Sequence, residues 1–383
     1  MAQEPWKSRA SCKGYVSLPF IWSQFPERVI KAFDLQRPWH SKIRLPIEAD
    51  QDQGADFCHL ESYDLDCLII LIRVCLGLGF SPKLDSYQNS IMTCVQHHFG
   101  QDRQTDYQVK GVLVSKLFPD DLDNMQVLRS KLTFENLLKH PGVKEVVFAC
   151  PSFTLKDRLL IISGQGLELS RDIESIQESS YEDMVDKNEV KWDGIKDLGQ
   201  TVADQSYDLD LEAENGTKIS RRYCLLPQFI RVSFIPNKDH PRNFDDVLRF
   251  QLKAPTLQRE KDMVREVMSD STYFLCAVVK VDPKDPIGNP AEIRAYGVDG
   301  KMIKPLLPSN NNQRDAIDRK LKPDSRWTTG DPQFKFILFY RKWTARGDEV
   351  HFPIQVSPAE YRSPSPVYHF YLPKPAPPEP STF

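Results

Sequence analysis

Between Cys58 and Cys67 the chain reads CHLESYDLDC, a run that holds thiols, an imidazole, carboxyls, a hydroxyl and a phenol. Nucleophilic catalysis is built from such groups: a thiolate, an imidazole that takes its proton, and a third group that orients the ring. The spacing argues against that use here. Cys58 and His59 are consecutive, which points their side chains apart. Cys67 falls one helical turn inside the apolar run that follows, away from Tyr63, and reads as a core thiol; it is the fallback nucleophile. His97 and His98 lie on a helical stretch, where neighbours in sequence cannot share a face. His240 belongs to the turn-forming NKDHPRN, and His351 and His369 stand alone beside strand-like segments. No HExxH, CxxC or DxD spacing marks a metal site and no glycine-rich loop marks a phosphate cradle, so neither metal nor cofactor is expected.

The elements that would position these groups follow from periodicity. The stretch LESYDLDCLIILIRVCLGLGF (60–80) is apolar nearly all round after its polar start, with Arg73 as the lone strong interruption. It predicts a buried central helix over 64–79, with Ser62, Asp64 and Asp66 available to cap its first free amides. A weaker helix is expected near 86–99 and one or two more over 120–140. KEVVFACPSF (144–153) and RLLIIS (158–163) read as strands, as do PQFIRVSF (227–234), TYFLCAVVKV (272–281), the short AEIRAYGV and FKFILFYRKW (334–343). Between two of these, TLQREKDMVREVMS (256–269) reads as a helix. Helices first and an antiparallel-leaning sheet afterwards make the fold class α+β.

Composition bounds the function. The 383 residues carry a formal net charge of −3, with no bulk basic character to suggest nucleic acid or an anionic membrane as partner. No leader-like apolar segment opens the sequence, and the longest apolar stretch is far too short to span a bilayer, so cytoplasm or nucleus is expected. The eight cysteines then read as reduced thiols, and the NGT sequon at Asn215 as chance. Residues 1–55 read as an irregular arm, 56–345 as the folded domain, and 346–383 as an extension ending in the proline-rich YLPKPAPPEPSTF. Within the domain, residues 172–214 hold fourteen Asp or Glu against three Lys, which predicts a solvated, partly mobile acidic insertion.

The order of segments resembles the ubiquitin-specific protease family, whose papain-like fold has a helical thumb, an antiparallel β palm and β fingers. In that family N-x-C-Y-x-[ND]-S-x-[LI] opens the buried central helix and its Cys is the nucleophile. ESYDLDCLI (61–69) follows the frame: Asp66, Cys67, Leu68 and Ile69 match its helical half, while Glu61 takes the Asn place and Tyr63 the nucleophile's place. LLPQFIRVSF is similar to the family's LPPVLxIxLxRF strand, YFLCAVVKV…AEIRAYGV to YxLxAVVxHxG…GHYxAY, and FKFILFYRK to the closing AYxLFYxR. Counted back from Ala295 and Tyr296, the histidine's place falls on Glu292, the oxyanion-supporting Asn on Cys58, and Asp299 is the nearest candidate for the third member. A phenol is a poor nucleophile at neutral pH, and a carboxylate cannot serve both proton steps of an imidazole. The resemblance therefore implies a catalytically inactive member that binds ubiquitin, a ubiquitin-like protein or another protein partner. The alternatives are an active cysteine hydrolase with a relocated nucleophile, or an unrelated scaffold.

Overall fold

A computed structural model describes residues 15–16, 42–44, 59–80, 90–97, 99, 103–155, 160–163, 166–168, 185–186, 188–206, 208–212, 218–222, 224–260, 263–297, 300, 331–343 and 350–351. The strands are β1 (Tyr15–Val16), β2 (Lys42–Arg44), β3 (His59–Glu61), β4 (Leu160–Ser163), β5 (Gly166–Glu168), β6 (Glu189–Trp192), β7 (Asp208–Glu212), β8 (Lys218–Arg222), β9 (Phe229–Phe234), β10 (Arg249–Glu260), β11 (Met263–Val281), β12 (Glu292–Ala295), β13 (Lys335–Lys342) and β14 (Val350–His351). The main helices are α1 (Tyr63–Gly77), α2 (Ser90–Gln96), α3 (Arg103–Leu117), α4 (Met125–Lys131), α5 (Phe134–Lys139), α6 (Leu198–Ser206) and α7 (Phe244–Leu248). The protein is mixed α and β. Its main sheet runs β10-β11-β13-β9-β6, with β12 on β11, and every pairing is antiparallel except β6 with β9.

Helix α1 is buried from Asp64 to Cys75, as its all-round apolar sequence requires. Ser62 is its N-cap, the side-chain oxygen accepting the Leu65 amide at 3.1 Å. The helix shares one core with Phe229 of β9, Phe274, Cys276, Ala277 and Val279 of β11, and Ile337 and Phe339 of β13. The opposite face of the sheet closes a second core around Trp192, Phe234, Phe250, Tyr273 and Tyr340. Phe274 to Val279 are all buried, so β11 is covered on both faces, as its unbroken apolar run indicates.

Arg73, the interruption in α1, is 3% exposed and keeps its charge useful by donating to the Val95 and His97 carbonyls, both at 2.6 Å, at the end of α2. Burial nevertheless pulls its pKa down to about 10.

Several expectations are corrected. Residues 256–260 and 263–269 are no helix: they form the arms of a long hairpin, with Glu260 opposite Met263 and the register continuous down to Arg249 and Phe274. The ladder extends strands already fixed in the core, and that overrides local propensity. Residues 144–148 form a wide helical turn instead of a strand, because His140 caps the preceding turn at the Gly142 amide and Lys144 is held in the core by Asp186 at 3.0 Å. Helix α3, unmarked by strong periodicity, buries Asp106 and Lys110. Within the acidic segment, β6 and α6 are anchored elements: Val190, Trp192, Leu198 and Val202 are buried while Asp193, Asp197 and Asp204 face solvent.

Candidate functional site

Three segments converge at the N-terminus of α1. The start of the helix, the α4–α5 junction and residues 286–290 ahead of β12 line a groove of about 490 Å³. Asp64 holds these walls together. Its Oδ1 accepts the Phe134 amide at the start of α5 and the Ala291 amide at the entry to β12, each at 3.1 Å. The carboxyl is only 8% exposed, and its desolvation raises the pKa from 3.8 to about 6 against the lowering effect of these amides.

The expected capping role of the acidic residues divides accordingly. Asp64 serves neighbouring segments, and Asp66 points inward to an ion pair with Lys110 of α3 at 2.5 Å. A buried pair of this kind is costly to break, because the survivor keeps its charge in a dry site.

Tyr63 occupies the first helical position and lines the groove, 42% exposed. In the same lining Ile287, 58% exposed, is a second large apolar side chain open to solvent, with Pro286 and Pro290 nearby in sequence. Arg129 and Glu61 give the rim one charge of each sign. Glu292 begins β12, one residue beyond the backbone group that Asp64 ties to the helix, and its carboxylate lies 3.5 Å from Lys280 on β11. The segments that carry Tyr63 and Glu292 meet through Asp64, but Glu292 is not among the residues that line the groove. Cys58 and Asp299 lie outside the described residues.

Cys67 is buried, and its thiol donates to the Ala291 carbonyl at 3.2 Å. Burial pushes its pKa well above the ordinary thiol value, and the carboxylates of Asp64, Asp66 and Glu292 push in the same direction. Neutral pH leaves no thiolate there. Two described histidines are engaged elsewhere: His97 pairs with Asp106 at 2.8 Å, and His140 contacts the Leu117 carbonyl at 2.7 Å. Among the described residues no group of three or more His, Cys, Asp or Glu could hold a metal ion. The groove lining contains a phenol, hydroxyls, carboxyls and a guanidinium beside apolar surface. Such a mixture can grip a polypeptide. Among the described residues it holds no thiol–imidazole pair that could cleave one.

Sequence reasoning did not single out Arg129, Ile287 or Lys110. Ile287 sits in a loop without periodicity, Arg129 reads as one more basic residue of the helix expected over 120–140, and Lys110 falls in a stretch where no helix is expected.

No protein-family model matches the chain, and no curated protein matches it. Among solved structures, the Saccharomyces cerevisiae PAN2 pseudoubiquitin-hydrolase is similar with a TM-score of 0.31 and 11% identity, over 79% of this chain and 86% of that one. The Saccharomyces cerevisiae Pan2 pseudoubiquitin hydrolase–RNA exonuclease module in complex with AAGGA RNA gives 0.34 and 10%, over 78% of this chain and 56% of that one. The Ubp8-Sgf11-Sgf73-Sus1 SAGA DUB module gives 0.29 and 14%, over 90% of this chain and 73% of that one. These are loose overlaps. They lend no support to the expected exclusion of nucleic acid.

Proposed function

We propose that the chain is a non-catalytic, ubiquitin-protease-like module in which a papain-like arrangement of helical thumb and β palm is kept for binding a protein. The groove at the start of α1 receives a polypeptide segment of ubiquitin, of a ubiquitin-like protein or of another protein partner. One observation carries this reading. An exposed phenol, Tyr63, stands at the first position of the buried helix, in a groove that presents a second apolar anchor at Ile287 and opposite charges at Arg129 and Glu61. Binding needs area and anchors, which these residues supply, whereas acyl transfer needs an activated nucleophile. Cys67 does not replace it, since its thiol is buried among carboxylates.

Calorimetric titration with ubiquitin and with a ubiquitin-like protein tests the reading, comparing the natural chain with Tyr63→Ala and Ile287→Asp. Binding that weakens at least tenfold in both variants supports it. Binding that ignores both changes removes the groove from the account.

A further inference from the structure

Among the described residues the main sheet ends in β10 and β12 on one side and in β6 on the other, and one nine-residue helix touches both β10 and β6. At the β10 edge, α6 presents Gly199, where an added Cβ would stand 2.1 Å from the Gln251 carbonyl oxygen, so only a glycine lets the helix lie this close. At the β6 edge, α6 presents Gln205. The Trp192 carbonyl of β6 accepts the Ile235 amide and so faces β9; alternation then turns the main-chain groups of Lys191 outward. Both are taken by Gln205: its Oε1 accepts the Lys191 amide at 3.1 Å and its Nε2 donates to the Lys191 carbonyl at 2.7 Å. One side-chain amide thus stands in for a residue of a missing neighbouring strand. Leu198 and Val202 anchor the helix in the core with Val190, Trp192, Phe250 and Leu252.

An open edge of this kind pairs with other strands unless it is blocked. The sequence of β6 favours one partner. If two copies of Glu189–Trp192 pair antiparallel about a two-fold axis through Val190, the outward-facing Glu189 and Lys191 of one copy exchange main-chain hydrogen bonds with Lys191 and Glu189 of the other. The same register sets a carboxylate against an ammonium at both ends. We propose that α6 is a seal over a self-complementary edge, and that its displacement lets two copies of this chain join through β6.

Sedimentation velocity of the full chain, with circular dichroism to verify folding, tests this. Gln205→Ala frees the Lys191 main-chain groups, and Gly199→Val forces the helix off the Gln251 carbonyl. The natural chain is expected to sediment as a monomer, and either folded variant as a species of doubled mass. Adding Lys191→Glu, which opposes like charges in that register, is expected to restore the monomer. If Gly199→Val fails to fold, Gln205→Ala alone decides. A folded variant that stays monomeric, a dimer that survives Lys191→Glu, or a natural chain that is already dimeric overturns the proposal.

Discussion

Asp64→Asn should stabilise the protein at neutral pH and lose that advantage in acid. In the folded chain the Asp64 carboxyl has its pKa raised from 3.8 to about 6, chiefly by burial. The folded state therefore holds this proton more tightly than the unfolded state. Its contribution to stability is fully present below about pH 4, falls as the pH rises through 6, and stays lost above that. A rise of about two units corresponds to ~3 kcal/mol. Asparagine keeps an oxygen for the Phe134 and Ala291 amides but never ionises, so it escapes that penalty. Any constant cost of replacing the second oxygen moves the whole difference curve without changing its slope. Urea unfolding of both proteins at a series of pH values should show Asn gaining ~3 kcal/mol on Asp between about pH 4 and pH 7.5. A difference that is flat with pH, or that grows toward acid, would refute the assignment of Asp64 as a desolvated carboxyl at the groove floor.

Other outcomes follow from the packing. Leu71→Asp, in the middle of α1, should cost more than ~4 kcal/mol by burying an unpaired charge, measurable as loss of the cooperative thermal transition. Lys110→Met should cost roughly 3–5 kcal/mol at neutral pH because Asp66 is left charged in the core, and the double change with Asp66→Leu should recover part of it in a double-mutant cycle. Hydrogen exchange should find the amides of β6 and α6 slow despite the acidic composition around them, since Val190, Trp192, Leu198 and Val202 anchor them.

The central helix was legible because its apolar residues surround the axis, and only a buried helix fits that pattern. The strand at 229–234 was legible from its alternation of apolar and polar residues, although all six are buried, Arg231 and Ser233 included, and the strand at 335–342 from its apolar run. The hairpin arms beyond Ala254 were not: their spacing fits a helix, and only the ladder to the core strands decides between the two. Composition also hid the structure in the acidic segment, because buried apolar residues such as Val185, Val190, Trp192, Leu198 and Val202 are outvoted by their charged neighbours. In the candidate site, Tyr63 stood out in sequence through the family resemblance, whereas the role of Asp64 did not. Its two amide partners lie 70 and 227 residues away, and no local pattern signals them.

The most direct test of the account is reaction of the natural chain with ubiquitin bearing a cysteine-reactive electrophile at its C-terminus, read by intact mass and peptide mapping. The account predicts no covalent adduct, because the groove offers the phenol of Tyr63 and the thiol of Cys67 is buried and protonated. An adduct on Cys67, or on Cys58, would contradict it and establish an active cysteine hydrolase.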